Sequence, residues 1–140
     1  MRLLRPRETA ATVFEIDFGR LSSAGKRAIL FDLDNTLGKR WSKRLEPQVL
    51  SLLDGLQAKG FGVGILTNRR ASGGDDVIRL LAGKYPLLHR ARKPGKTGFL
   101  QLMEQLGTSA EETVMVGDRL LTDVFGANRL GIYSIRIRRV

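Results

Sequence analysis

Short apolar runs that alternate with helical repeats predict an α/β domain built on a parallel sheet. Ala28-Ile29-Leu30-Phe31, Gly62-Val63-Gly64-Ile65-Leu66 and Val114-Met115-Val116 are continuous apolar stretches of strand length. Between them Val49, Leu52, Leu53 and Leu56 fall at i, i+3, i+4 and i+7, and Phe99, Leu102, Met103 and Leu106 repeat that spacing. Each apolar run also ends on polar residues: Asp32 and Asp34, then Thr67 and Asn68, then Asp118. The carboxyl ends of parallel strands are where open α/β sheets place their ligands.

In chain order, Phe14, Phe18 and Leu21 predict one face of a leading helix within Ala10 to Ser23. Residues 1–24 are therefore expected to pack on the core as a partly helical segment. The first strand covers 28–32. The helix carrying Val49 to Leu56 has Pro47 near its start, where a missing N–H is harmless, and Gly60 after its end. A second strand covers 61–66. A short helix around Val77, Ile78, Leu80 and Leu81 follows the loop Ser72-Gly73-Gly74 and leads to a third strand at 86–89. The helix carrying Phe99 to Leu106 opens at Thr97 and closes at Gly107. A fourth strand covers 113–117, a last helix spans Leu120 to Leu130 and stops at Gly131, and a fifth strand covers 132–137. There Ile135 and Ile137 alternate with Arg136 and Arg138, the pattern of an edge protected by charge.

At 140 residues the chain is expected to form one domain, residues 1–140, with a core that needs no staples. It has no cysteine and one histidine, which excludes disulfides and leaves the usual zinc sets short of ligands. A bound metal should be a hard cation held by oxygen. No apolar run approaches membrane-spanning length, and Met1-Arg2-Leu3-Leu4-Arg5-Pro6 lacks the core of a signal peptide, so a cytoplasmic protein is expected. Net charge is +10, from 24 Lys and Arg against 14 Asp and Glu, with Arg supplying 17 of the 24. Nucleic acid, an acidic membrane face and a phosphorylated substrate all fit that balance, as does plain compositional bias.

Asp32 and Asp34 sit two positions apart where the chain leaves its first strand. Two carboxylates there can divide one reaction, one attacking phosphorus and the other moving protons. Singly, each feature has an ordinary explanation. Asp-x-Asp is common in turns, Thr67 ends a strand, Lys93 can be a solvated cation, and Gly117-Asp118 can be a turn with a helix cap. Their order, with one feature after each strand, gives them joint meaning. Gly95-Lys96-Thr97 imitates the end of a P-loop, but the position that needs glycine holds Arg90. It reads instead as a helix start.

The set Asp32-x-Asp34-x-Thr36, Thr67, Lys93-Pro94 and Gly117-Asp118 with Asp123 resembles the motifs of the haloacid dehalogenase (HAD) superfamily of phosphatases. The stretches ILFDLDNTL, LTNRR, ARKPGKTGF and VGDRLLTDVFGANRLG are most similar to its subclass IIIA, YqeG-type branch, which includes phosphatidylglycerophosphate phosphatases. The resemblance covers Ala28 through Ile137. It implies a three-layer Rossmann-like fold with five parallel strands ordered 5-4-1-2-3, so that Asp32 and Asp118 meet across 86 positions of sequence. It implies Mg²⁺ held by the Asp32 carboxylate, the Asp34 main-chain carbonyl and the Asp118 carboxylate. Asp32 would be the nucleophile and Asp34 the acid and base, which requires environments that push their pKa values apart. The Thr67 hydroxyl and the Asn68 amide would hold phosphoryl oxygens, and Lys93 would balance charge. Asp123 would act from behind them, through water or by orienting Lys93.

HAD enzymes that act on small metabolites usually insert a cap domain on either side of the second strand. Here 30 residues separate Leu37 from Asn68 and 24 separate Asn68 from Lys93, and helices and strands occupy most of both. No cap domain is expected, and the site should be open to bulky substrates. Beside the opening lies Lys39-Arg40-Trp41-Ser42-Lys43-Arg44, which holds the only tryptophan. It is either a solvated charged loop or, with Arg2, Arg5 and Arg7, a patch that docks peripherally on the inner face of an anionic membrane. The second option goes with phosphatidylglycerophosphate as substrate. A phosphatase for soluble esters or phosphoproteins would share the same site. A nucleic-acid-binding module explains the charge but not the acids, which repel a phosphate backbone, so no nucleic acid is expected.

Overall fold

The structure is a computed structural model that describes residues 2–71 and 74–138. Its strands are β1 (Glu8–Ala10), β2 (Ala28–Phe31), β3 (Gly62–Leu66), β4 (Leu87–Leu88), β5 (Thr113–Gly117) and β6 (Tyr133–Ile137). They form one parallel sheet in the order β1-β6-β5-β2-β3-β4. The order implied by the resemblance is present as β6-β5-β2-β3-β4, with β1 added outside it.

That extra strand corrects one expectation. β6 is not an edge, because Glu8, Thr9 and Ala10 pair with Ile135, Arg136 and Ile137. Three residues are too few for a period to show in sequence. Arg136 also has another use, its Nε donating to the Asp118 carbonyl at 3.2 Å. The true edges, β1 and β4, are three and two residues long, which leaves little backbone open to a stray strand.

The leading segment differs as well. Helix α1 (Phe18–Ser23) starts only at Phe18, because Asp17 caps it by accepting from the Arg20 N–H at 3.0 Å. A 3-10 turn at Val13–Glu15 precedes it, with Val13 buried and Phe14 48% exposed. Phe14 thus leaves the expected apolar face, and Val13, Ile16, Phe18 and Leu21 pack on the core instead.

Side chains along a strand point alternately to opposite faces, which builds three layers. Ile29, Phe31, Val63, Ile65, Val114 and Val116 pack with α1, α2 (Pro47–Ala58) and α3 (Asp76–Ala82). Leu30, Leu66 and Met115 pack with α4 (Lys96–Leu106) and α5 (Gly126–Asn128). α4 buries Phe99, Leu102 and Met103 and ends at Gly107, whose φ of 71° suits glycine. Among the described residues, the β2–β3 and β3–β4 connections hold α2 and α3 and no further domain. Ser72 and Gly73, from the expected loop before α3, lie outside the described residues.

The helix expected from Leu120 to Leu130 is split. A π-helical turn at Leu120–Phe125 comes first, with Val124 N–H bonded five residues back to the Arg119 carbonyl at 3.2 Å, and α5 follows. The wide turn carries Asp123 inward to 1% exposure. After α5 the chain turns at Gly131, where φ is 80°, and enters β6.

Candidate active site

Asp32 prolongs β2 by one residue, its N–H bonding to the Val116 carbonyl of β5 at 2.9 Å. Asp118 directly follows β5, so the pairing of these two neighbouring strands closes the long gap in sequence. Carboxylate oxygens of Asp32, Asp118 and Asp123 all lie within 4.8 Å of one another. One buried cation answers them. Lys93 Nζ donates to Asp123 Oδ1 at 2.6 Å, to Asp32 Oδ1 at 2.9 Å and to the Leu66 carbonyl at 2.8 Å. An ammonium has three protons, and all three are used. Burial pulls the Lys93 pKa down, the charges of Asp123 and Asp32 push harder, and the net shift is upward.

Three carboxylates around one ammonium leave a surplus of negative charge when all are ionised. Burial pushes the Asp32 carboxyl up, Lys93 draws it back, Asp123 raises it again, and it settles at about 7. Burial and then the Asp123 charge raise Asp118 as well. Asp118 Oδ1 is moreover buried with no hydrogen-bond partner. An oxygen-seeking divalent cation fits this donor set, because it would engage the orphaned oxygen and cancel the surplus charge. The resemblance sets Asp123 behind the metal. Here its carboxylate lies as close as the other two, while also holding Lys93.

Asp34 belongs to a second arrangement that sequence did not reveal. Arg69 Nη2 donates to Asp34 Oδ1 at 2.5 Å and Arg69 Nε donates to Asp34 Oδ2 at 3.3 Å, while Arg69 Nη1 reaches Asp75 Oδ2 at 3.3 Å. Trp41 N–H also donates to Asp34 Oδ1, at 3.0 Å. Arg69 stands immediately after the Thr67-Asn68 motif, but its pairing across 35 positions leaves no local trace.

Thr67 is buried and lines the pocket; its Oγ1 accepts from the Arg69 N–H at 3.0 Å, which leaves its O–H free to donate. Asn68 offers both a side-chain amide and a main-chain N–H. Its side chain clamps the Lys93 backbone, accepting from the N–H at 2.8 Å and donating to the carbonyl at 3.1 Å. Its main-chain N–H has no acceptor among the described residues. The pocket these groups line, together with Arg40, Trp41, Arg119 and Thr122, has a volume of about 160 Å³.

A family model described as HAD-hydrolase-like matches residues 90–139. "Probable phosphatase YqeG" of Bacillus subtilis (strain 168) is 29% identical over 134 residues, which cover 94% of this chain and 76% of that protein. Chloroplastic phosphatidylglycerophosphate phosphatase 1 of Chlamydomonas reinhardtii is 32% identical over 145 residues, which cover 97% of this chain and 53% of that protein. A crystal structure of a HAD phosphatase from Thermococcus onnurineus matches with a TM-score of 0.63 at 20% identity, over 80% of this chain and 86% of that one. The chain is a HAD-like phosphatase domain. It spans about half the length of the Chlamydomonas protein and about three quarters of the Bacillus one.

In this HAD-like domain the glycine before Asp118 is required by space. A Cβ at Gly117 would overlap the Asp123 carboxylate and lie 2.6 Å from Asp123 Cβ. Gly117→Ala is therefore expected to push Asp123 off Lys93. It should cost about 1–3 kcal/mol, the usual scale of overpacking, and lower phosphatase activity. Urea denaturation and a phosphate-release assay read both effects. A variant unchanged on both counts would show that Asp123 has another place to go.

Proposed function

We propose that this domain hydrolyses a phosphate monoester through an aspartyl-phosphate on Asp32, with Mg²⁺ as its metal and phosphatidylglycerophosphate as substrate. The convergence of Asp32, Asp118 and Asp123 on Lys93, at the carboxyl ends of β2 and β5, carries the reading. An Asp32 oxygen attacks phosphorus in line, and the bond from phosphorus to the alcohol oxygen breaks with its electron pair on that oxygen. Asp34 supplies the proton that makes it an alcohol. Water then attacks the phosphorus, Asp34 takes up its proton, and the bond to Asp32 breaks to release inorganic phosphate.

Thr67 and the Asn68 main-chain N–H donate to phosphoryl oxygens, and Lys93, positioned by Asp123, balances charge beside Asp32. Held by the Asp32 carboxylate, the Asp34 main-chain carbonyl and Asp118, Mg²⁺ would offset the phosphoryl charge that repels an anionic nucleophile. Arg69 engages both oxygens of Asp34, so that contact must open before Asp34 can deliver a proton. A substrate phosphate competes for Arg69 and opens it.

The lipid substrate has separate support. A relative bearing that activity in its name aligns over 97% of this chain. Beyond the end of β2, Trp41 is 58% exposed among the exposed cations Lys39, Arg40, Lys43 and Arg44, and Leu121, in the turn after β5, is 60% exposed. Aromatic and apolar side chains among cations suit an anionic bilayer surface. Among the described residues no helix is long and apolar enough to cross a membrane, so the contact would be peripheral.

The test is Mg²⁺-dependent phosphate release from phosphatidylglycerophosphate in vesicles, beside glycerol 3-phosphate and p-nitrophenyl phosphate, with flotation on anionic and neutral vesicles. The lipid should be preferred, the protein should float with anionic vesicles alone, and Asp34→Asn should turn over slowly. Faster turnover of the soluble esters, with no vesicle preference, would favour a general phosphatase.

A further inference from the structure

Asn68 has a cavity on each side. One is the catalytic pocket; the other, about 210 Å³ in volume, is lined by Asn68 with Arg70, Arg90 and Arg92. No carboxylate lines this second cavity. Among the described residues none of its three arginines forms an ion pair.

The cluster is fastened to the catalytic pocket through backbone. Arg90 N–H donates to the Arg69 carbonyl at 3.0 Å, and Ala91 N–H donates to the Thr67 carbonyl at 3.0 Å. Asn68, shared by both cavities, grips the backbone of Lys93, the next residue after Arg92. The segment bearing Arg90 and Arg92 thus cannot shift without moving Thr67, Asn68 and Lys93. Arg90 and Arg92 also both adopt left-handed backbone, with φ of 51° and 57°, which residues with a Cβ seldom do.

Arg70, Arg90 and Arg92 are exposed around this one cavity, and an anion seated in it is attracted by all three. The guanidinium fork matches phosphate oxygens two at a time, so the chemistry that suits this cavity is a phosphate group. The catalytic pocket, about 160 Å³ in volume, is far smaller than a phospholipid, so most of such a substrate lies outside it. We propose that Arg70, Arg90 and Arg92 form a second phosphate subsite, which binds a phosphodiester of the same substrate while its monoester lies against Asp32. This rests on the phosphatase reading above and deepens it. A substrate whose two phosphates are joined by one glycerol carries them a three-carbon spacer apart, a short reach across Asn68. The subsite selects such a headgroup over a simple monoester.

The probe is glycerophosphoglycerol phosphate, a water-soluble headgroup with one diester and one monoester, compared with glycerol 3-phosphate. Because it has no acyl chains, membrane attraction cannot imitate the result. Phosphate release is followed for wild type, Arg70→Gln, Arg92→Gln and the triple variant with Arg90→Gln. The wild-type KM should be about tenfold lower for the headgroup, as a few charge-assisted hydrogen bonds confer. The triple variant should lose that advantage without a change in kcat and leave the constants for glycerol 3-phosphate in place. Equal wild-type KM values, or parallel changes for both probes in the variants, overturn the subsite and leave the phosphatase reading standing.

If wild type turns over neither probe, the vesicle assay above decides the phosphatase reading, and calorimetry with glycerophosphoglycerol, the diester alone, decides the subsite. Binding by wild type that is lost in the triple variant upholds it. No binding by wild type, or equal binding by both, ends it.

Discussion

Asp32→Asn is expected to abolish Mg²⁺-dependent phosphate release, by roughly 10⁴-fold or more, the scale at which loss of a covalent nucleophile registers. The variant should fold, since an amide has nearly the shape of the carboxylate and can still accept from Lys93. Its stability should differ from wild type in a way that depends on pH. In the metal-free protein Asp32 titrates at about 7 when folded, against an ordinary value of 3.8. The folded state therefore keeps a proton that the unfolded chain gives up, and stability present at acid pH is lost as pH rises through that window.

Asparagine has no such proton. Asp32→Asn should flatten the slope between about pH 4 and 7 and be more stable than wild type at neutral pH without metal. The upward shift of Asp118 has the same sign, so part of the slope survives, while the raised Lys93 pKa acts only in the alkaline range. Urea titrations in chelator at a series of pH values read the difference. Near-wild-type turnover would exclude Asp32 as nucleophile, and an unchanged slope would mean that its carboxyl is ionised throughout.

The features legible in sequence were those that repeat or sit at strand ends. β2, β3 and β5 are buried on both faces, so they are written as unbroken apolar runs, and Asp32, Thr67 and Asp118 could be placed by counting from them. α2 and α4 showed by their period, α4 also by Gly107. What escaped was either too short or too distant. β1 has three residues and gains its place only by pairing with β6. Phe14 follows the apolar spacing of Phe18 and Leu21, but Asp17 breaks the helix between them. The π turn at Leu120–Phe125 depends on Asp123 finding Lys93, 30 positions away. The grip of Arg69 on Asp34 and the Asn68 clamp on Lys93 are likewise tertiary contacts between polar residues, which carry no period. The same holds for the Arg70, Arg90 and Arg92 cluster, whose members come from two segments brought side by side by the β3–β4 pairing.

Lys93→Met is expected to destabilise the metal-free domain by about 3–5 kcal/mol at neutral pH and to remove phosphatase activity. Methionine fills nearly the same space, so no cavity contributes and the loss reports charge. With the ammonium gone, Asp32, Asp118 and Asp123 face one another without a cation between them, and the Leu66 carbonyl loses its donor. Asp123, at 1% exposure, has no water to turn to. The penalty should shrink in acid, where Asp32 takes up a proton in place of the missing cation, and grow as pH rises past about 7.

Mg²⁺ separates this account from a general packing defect. A metal at one hundred times its Kd stabilises a native state by about 2.7 kcal/mol, which wild type should show as a rise in Tm. Lys93→Met should gain more than wild type, because the ion then supplies the only positive charge in the cluster. Equal stability of the two proteins in chelator at neutral pH would mean that the carboxylates do not strain against one another. A variant that Mg²⁺ leaves untouched would remove the physical basis for a metal at this site.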